Sequence, residues 1–416
     1  MIFFNFIGIF YYFNSFMENG FLPYPFVFDK NDTFMDFYNP LWWSMNGGFY
    51  SVWNSVYPPL NYFILKLISI FFINDVYPNP FELRDFNFNL IYTYVFFYFI
   101  FPLTLFINKN YYRFRGINKF LIYILTLTLA PCLFMLERGN LIILAVSIIP
   151  ILLIVKKDFV KAFIIAILIN LKPYFVVYLF YFIAKRNFKY FLCSICITIF
   201  LFIFFGIIVG DNYWIVFDNL FTFAASSPII SPRELISFPS SIGVYIDVIQ
   251  TERAILEGTR MFGDAFVILN ILANLSYFIR YLFVFLALGY ILKYGIKSRD
   301  EIIFFILTIV ITHMGSSVGG YSLVYYVPFI PLFFKLRKIH FSYLILFVLI
   351  MFNYDFLHIM LRSGDGQLSF LANTYLTSTF WELGISSVLR PAANALLFIL
   401  ILRHLFKYRF KNLKYL

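Results

Sequence analysis

The sequence predicts an all-α fold, a polytopic integral membrane helical bundle of about 10–12 spans, because three observations agree. Hydrophobic residues make up 62% of the 416 positions and charged residues only 13%, and the mean hydropathy is +0.83. Successive apolar runs have about the length, roughly 20 residues, that a helix needs to cross hydrocarbon. Lys and Arg gather in short segments between these runs. A soluble protein of this composition would lack a polar surface, so that class is excluded.

The distribution of charge predicts the orientation. Six basic segments hold 21 Lys and Arg but only 3 Asp and Glu, whereas three long polar segments hold 15 acids and 7 bases. The basic segments are 108–119, 156–161, 185–190, 293–301, 335–340 and 403–416, and the acidic ones are 18–88, 211–263 and 361–384. Because Lys and Arg mark cytoplasmic loops, the first set is predicted inside and the second outside. The net charge of +11 therefore reflects loops of a plasma (inner) membrane protein, with both termini cytoplasmic, and not a nucleic-acid partner.

We expect one membrane domain over residues 1–416, without a separate soluble domain. The predicted spans are an N-terminal run, 89–107, 120–136, 140–155, 191–210, 264–292, 302–314, 321–334, 341–360 and 385–406. The N-terminal run lacks a basic start and a cleavage site, so it is read as a retained span.

Two apolar segments are predicted not to cross the membrane. A full crossing by 58–74 would place the basic segment 108–119 outside, so 58–74 is read as a helix at the outer interface with Lys66 snorkelling. Segment 162–184 has basic segments on both sides and "LKP" in its middle, so it is predicted to be a re-entrant pair of half-helices.

A few charges fall inside or beside the apolar runs, where they are costly. They are Arg138, Lys172, Arg280, Arg390, Glu137, Asp264 and Asp355. Arg138 in "ERGN" and Lys172 at the tip of the re-entrant pair suggest a bound anion, since both residue types bind phosphate. Alternatively, Glu137 pairs locally with Arg138 and Lys172 only pins a helix end. Arg280 and Arg390 lie nearer span edges, where snorkelling or ion pairing is expected.

The external stretch "MDFYNPLWWSMNGGFYSVWNSVYPPL", residues 35–60, carries Asp36 among aromatic and amide side chains. One acid in such surroundings can act as a general base. Tyr38, Trp42 and Trp43 can stack on a sugar ring, although an interfacial aromatic belt would look similar. The three cysteines form no disulfide framework, and Asp29 with Asp32 is a weak metal signal, so neither a metal nor a cofactor is expected.

Short motifs occur in a fixed order over roughly residues 30 to 335. They are "MDFYNP", "GGFY", "YPPL", "ERGN", "LKP" and "YYVPFIPL". In this order they resemble the GT-C class of polyprenyl-phosphate-dependent glycosyltransferases, and most closely glycosyltransferase family 87. The chain length, the large first external loop and the Phe, Ile, Asn and Lys bias also resemble serotype-converting phage O-antigen glucosyltransferases.

The resemblance implies a polyprenyl-phosphate sugar donor and a glycan or glycolipid acceptor, such as O-antigen, on the external leaflet. It implies Asp36 as the catalytic acid–base residue and Arg138 and Lys172 as donor-phosphate contacts. Further substrate contacts are expected at Tyr38, Trp42, Trp43, Tyr57, Glu137, His313 and Tyr325. A single clear carboxylate favours inversion at the transferred sugar.

Two other functions remain open from the sequence. A flippase or transporter of lipid-linked sugars would also use cavity cations and broken helices, although no inverted repeat is evident. An O-antigen polymerase or ligase would place arginines in a later external loop, where this chain has Arg233, Arg253 and Arg260.

Overall fold

The computed structural model describes most of the chain in separate stretches. These are residues 2–107 except 21, 23–25, 27–29 and 74, then 117–225, 271, 281–314, 320–336, 340–354, 358–364, 367–372, 375–376 and 379–408. Several predicted positions lie outside these described residues, namely Asp29, Arg233, Arg253, Arg260, Asp264, Arg280 and Asp355.

Helices form most of the described chain, as predicted. Their bounds are α1 Ile2–Asn19, α2 Met35–Asn46, α3 Pro59–Phe72, α4 Pro80–Phe86, α5 Phe88–Leu105, α6 Ile117–Thr128, α7 Ala130–Arg138, α8 Ile142–Ile154, α9 Asp158–Leu171, α10 Phe180–Ala184, α11 Phe188–Val209, α12 Ile215–Ala225, α13 Tyr281–Tyr294, α14 Asp300–Met314, α15 Ile330–Leu336, α16 Ser342–Met351 and α17 Ile385–Tyr408. Segments of 3₁₀ helix cover Pro173–Leu179, Gly295–Lys297 and Gly320–Phe329. Proline starts α3 and α4 and lies in the first turn of α7, where its missing N–H costs no helical hydrogen bond.

Two short antiparallel strand pairs add to this bundle near the predicted external segment 361–384. β1 (His358–Gly364) pairs with β4 (Thr379–Gly384), and β2 (Gln367–Leu368) pairs with β3 (Tyr375–Leu376). The Thr, Phe and Trp in β4 are residue types that favour strands. The predicted span 341–360 is therefore shorter as a helix, because α16 ends at Met351.

One helix among the described residues, α11, is long and apolar enough to cross a membrane alone. Two bent pairs pass the same test if each is one span: α4 with α5, bent by 81°, and α6 with α7, bent by 54°. The predicted span 120–136 is thus broken, and Pro131 in the first turn of α7 explains where, since proline cannot continue the hydrogen bonds of α6.

Segment 162–184 forms a hairpin, as its sequence predicts. Helix α9 ends at Leu171, and the chain continues from Pro173 as 3₁₀ helix and then α10. The returning limb brings the Tyr181 hydroxyl to 2.6 Å from Nζ of Lys161, near the start of α9. Lys172 therefore lies at the tip, and the two limbs meet at their base.

The base of this hairpin joins three basic segments. Asp300 binds Lys161 of the first, Lys185 of the second at 2.9 Å, and the Tyr181 hydroxyl at 2.9 Å. Burial raises the pKa of the Asp300 carboxyl, but the hydrogen bonds and charges of the two lysines outweigh it, so the pKa lies below its ordinary value. The ion pairs thus stabilise this end above the ordinary carboxyl titration range and weaken as the pH falls through the lowered pKa.

The acidic segments also contact one another. The Tyr50 N–H donates to Asp211 at 3.3 Å, and Asn219 donates to the Ser55 carbonyl at 3.0 Å. Residues 18–88 also meet the third segment, since the Lys30 N–H donates to the Leu368 carbonyl at 2.9 Å. The predicted inner and outer loops thus form two separate groups of contacts.

Helix α3 packs along α11, and the position of 58–74 at the outer interface stays a prediction. The Phe63 and Phe205 rings are 4.8 Å apart, and one turn later Nζ of Lys66 donates to the Val209 carbonyl at 3.4 Å. Lys66 lies at the carboxyl end of α11, where the helix dipole favours a cation.

The two groups of loop contacts predict which positions face each side of a membrane. Single cysteines in a cysteine-free background at Val76 and Asn212 should react with an impermeant maleimide on intact cells. Cysteines at Arg186 and Arg299 should react only after permeabilisation, because they belong to the basic segments. Labelling of Arg186→Cys on intact cells would contradict this orientation.

Candidate active site

Asp36, the predicted base, meets two residues of the distant "ERGN" turn. Its Oδ1 accepts a hydrogen bond from Nη2 of Arg138 at 3.0 Å, and its Oδ2 accepts one from Nδ2 of Asn140 at 2.7 Å. The Asp36 side chain keeps 20% of its surface exposed. Both carboxylate oxygens are therefore held in place while an access route remains.

Arg138 also forms an ion pair through Nη1 with Asp32, one helical turn before Asp36 in sequence. The guanidinium thus bridges two carboxylates with two different nitrogens. We call Asp32, Asp36, Arg138 and Asn140 the Asp36 cluster. The predicted base and the predicted phosphate contact are direct neighbours in it.

The turn that carries Arg138 and Asn140 needs glycine between them. Gly139 has φ of +65°, a conformation that side chains disfavour, and a Cβ there would lie 3.1 Å from Cα of Phe34. Phe34 itself has φ of 62°, and its N–H donates to the Glu137 carbonyl at 2.8 Å. The start of α2 is thus pressed against this turn in a strained conformation, which sets the position of Asp36.

Glu137 and Arg84 hold the residues just before Asp36. The Thr33 hydroxyl donates to Oε1 of Glu137 at 3.2 Å, and Nη1 of Arg84 donates to the Thr33 carbonyl at 2.9 Å. Arg84 is fully buried, pairs with Asp85 at 2.9 Å and lies 4.6 Å from the Phe370 ring. These contacts give Glu137, predicted as a substrate contact, a role in supporting the turn.

Asn140 is oriented by contacts on every side. Its Oδ1 accepts the Ile142 N–H at 3.0 Å, which leaves Nδ2 facing Asp36. Its carbonyl accepts the Tyr94 hydroxyl at 2.9 Å, and the side chain is buried. Asn140 therefore acts as a fixed donor to the carboxylate.

Lys172, at the hairpin tip, reaches the same region. Its Nζ lies 4.2 Å from the centre of the Tyr57 ring, and the lysine is within range of an electrostatic interaction with the Asp36 carboxylate. Nδ2 of Asn61 donates to the Leu171 carbonyl at 3.0 Å, which fixes the tip against the start of α3. The structure thus brings a second cation close to the Asp36 cluster.

Tyrosines line the side of the tip. The Tyr174 hydroxyl lies 2.6 Å from the Tyr325 hydroxyl, and the two rings meet edge-on with their centres 6.0 Å apart. The 3₁₀ helix 320–329 therefore packs Tyr325, a predicted substrate contact, beside the hairpin tip.

The predicted aromatic contacts divide into two kinds. Tyr38 is fully buried, and its hydroxyl donates to the Asn87 carbonyl at 3.1 Å, so it supports the packing of α2. Trp43 stacks on Trp53 at 5.8 Å, and Trp42 meets Trp53 edge-on at 5.6 Å. Trp53 is 43% exposed and the other two rings are half-buried, so these three rings form a partly accessible aromatic surface.

His313 and Arg390 have their described contacts elsewhere. His313 is buried, its Nδ1–H donates to the Ile309 carbonyl at 2.8 Å, and its ring lies 5.0 Å from that of Phe398. Arg390 is fully buried and donates to the Ile350 and Phe352 carbonyls at 3.0 and 3.1 Å, at the carboxyl end of α16. Arg390 therefore caps a helix and is buried, whereas snorkelling had been predicted; its ion pairing stays a prediction.

The roles of three residues of this site, Asn140, Asp32 and Arg84, were not predicted from the sequence. Asn140 lies within the recognised "ERGN", yet an amide alone gives no sign of its partner. Asp32 was considered only as a metal ligand, and Arg84 only as a loop cation. Among the described residues, no group of three or more His, Cys, Asp or Glu is placed to hold a metal ion.

The chain was also compared with known proteins. It matches no protein-family model, no curated protein and no solved structure.

Proposed function

We propose that this chain is a membrane glycosyltransferase of the GT-C type, similar to family 87. It moves one hexose from a polyprenyl-phosphate donor to an external glycan or glycolipid such as O-antigen. The observation that carries the proposal is the convergence of Asp36, Arg138 and Lys172, since a carboxylate beside two cations suits proton transfer next to a departing phosphate.

Each residue then has a defined task. Asp36 accepts the proton of the acceptor hydroxyl while the oxygen of that hydroxyl forms a bond to the anomeric carbon of the donor sugar. The bond from that carbon to the phosphate oxygen breaks, and Arg138 and Lys172 stabilise the charge that the phosphate gains. Asn140 keeps the carboxylate oriented throughout.

An acceptor glycan binds on the aromatic surface formed by Trp42, Trp43 and Trp53. Its exposed ring faces lie on the same segment as Asp36, and aromatic faces stack on the apolar faces of sugars. The tyrosines at the hairpin tip and Tyr57 would then contact the transferred hexose.

The proposal includes a plasma-membrane bundle of about 10–12 spans with the site on the external side. Broken and short helices are expected around a buried polar cavity. Large apolar side chains on α11 are open, with Phe200 63% and Ile207 68% exposed, which fits contact with lipid.

A reconstitution experiment tests the proposal. The purified protein in liposomes, given a polyprenyl-phosphate hexose and an acceptor glycan, should add one sugar with inverted anomeric configuration, as read by mass spectrometry and NMR. Movement of the donor between leaflets without a new linkage would favour the flippase function. Addition of many repeat units would favour a polymerase, and a retained anomer would contradict the single displacement.

Arg138→Gln and Lys172→Met should each lower kcat/KM for the donor by roughly 10- to 150-fold. This range corresponds to the 1.5–3 kcal/mol of a hydrogen bond to a charged group. Lys66→Gln is the matched control, because Lys66 is a cation of the same external segment that caps α11. Unchanged donor kinetics in both site variants would leave these residues with a structural role.

A further inference from the structure

We infer that Asp32 sets the affinity of the site for phosphate and favours release of the lipid-phosphate product. The inference rests on the proposed function and assigns a role to a residue with no place in the proton transfer. Its basis is the pairing of Asp32 with Nη1 of Arg138, while Nη2 of the same guanidinium binds Asp36.

The charges of the site show why such a residue is needed. Asp32 and Asp36 balance Arg138 and Lys172, so the four side chains together are close to neutral. Without Asp32, two cations would face the phosphate with one carboxylate. The side chains of Arg138 and Asp36 are only 15% and 20% exposed, so solvent screens this group incompletely.

Donor and product differ in charge. The donor phosphodiester carries one negative charge, whereas the released phosphate monoester carries close to two above its second pKa, about 6. Repulsion by Asp32 therefore acts about twice as strongly on the product. Asp32 also occupies Nη1 of Arg138, which the dianion would otherwise bind in bidentate fashion. The geometry thus discriminates against the product more than against the donor.

The location of Asp32 suits this task. Its side chain is 37% exposed, compared with 20% for Asp36, so it lies at the outer side of the cluster. The guanidinium has five N–H donors, so Asp32 and Asp36 can each bind it while a phosphate uses the remaining N–H groups. Asp32 is therefore a specificity-determining residue that acts through Arg138.

The test measures binding, which does not depend on transfer activity. The probes are farnesyl phosphate and its methyl phosphodiester at pH 7, with Kd measured by calorimetry on the full chain in detergent. Asp32→Asn should tighten binding of the diester about fivefold and of the monoester about 25-fold, since the electrostatic energy scales with charge.

Asp211→Asn is the matched control, because Asp211 is a carboxylate of the neighbouring external loop that accepts the Tyr50 N–H. It should change neither Kd. In an Arg138→Gln background, Asp32→Asn should tighten binding less, because only the direct repulsion by Asp32 is then removed and no N–H of Arg138 is released for the phosphate. Asp32→Ser serves as a second variant, and thermal unfolding checks that each protein is folded.

Equal or weaker binding in Asp32→Asn and Asp32→Ser would overturn the inference. An equal gain for monoester and diester, or the same gain in Asp211→Asn, would do so as well, as would a lack of binding in every protein. Failure of the proposed function would show differently, as phosphate binding with these ratios but no sugar transfer by the wild type.

Discussion

Asp36→Asn should lower the turnover of sugar transfer by about 10²–10⁴, the usual contribution of general-base catalysis. The amide has nearly the size of the carboxylate but does not accept a proton at working pH. Arg138 and Asn140 donate to the two oxygens of Asp36, so the NH2 group of the asparagine would face one of these donors and lose that hydrogen bond. The measurement is the single-turnover rate with saturating donor and acceptor.

Two comparisons separate lost chemistry from lost structure. Donor binding by Asp36→Asn should survive, because Arg138 and Lys172 remain. Asp211→Asn removes a carboxylate that accepts the Tyr50 N–H in the neighbouring external loop, and its rate should stay near normal. A near-normal rate in Asp36→Asn would remove the base assignment, and Glu18 would be the next carboxylate to examine.

Gly139→Ala should lower the transfer rate by about 10²-fold, because displacing a catalytic group by about 1 Å can cost that much. The new Cβ would lie 3.1 Å from Cα of Phe34 and from Cβ of Phe37, at the start of the helix that carries Asp36. Relief of this contact moves Asp36 away from Arg138 and Asn140. The rate should be measured together with the thermal midpoint in detergent.

Gly210→Ala is the matched control for backbone strain. Gly210 has φ of +79°, but nothing lies within 4 Å of a Cβ built there. Both alanines carry the strain of a positive φ, of order 1–2 kcal/mol, and only the one at 139 meets other atoms. If the two variants lost equal activity, contact with Phe34 would not be what positions Asp36.

The sequence predicted the parts of the fold that depend on composition and on strong local signals. Proline after Lys172 and basic segments on both sides predicted the hairpin, and a long apolar run predicted α11. The packing of α3 against α11 was missed, because one apolar helix looks alike at an interface and beside another helix. Pro131 marks the break between α6 and α7 in the sequence, but hydropathy, on which the span 120–136 was predicted, does not detect a helix break.

The site was predicted in the same uneven way. Unusual charges in apolar surroundings identified Arg138 and Lys172, and the structure places both near Asp36. The direct contact between Asp36 and Arg138 was not predictable, since 102 residues separate them in the sequence. Tyr38 and Trp42 look equivalent in sequence, but in the structure Tyr38 is fully buried and Trp42 is only half-buried.

The hairpin has a consequence for insertions and deletions. Its α-helical limb of 14 residues and its returning limb of 3₁₀ and α-helix each span about 21 Å, given rises of about 1.5 and 2.0 Å per residue. Because Asp300 ties both limbs at the base, their lengths determine how deep Lys172 lies. One added residue in α9 would advance the tip by about 1.5 Å and rotate it by about 100°. The length of the hairpin therefore fixes the depth of Lys172. Related chains should vary in length in their loops but not between Asp158 and Ala184.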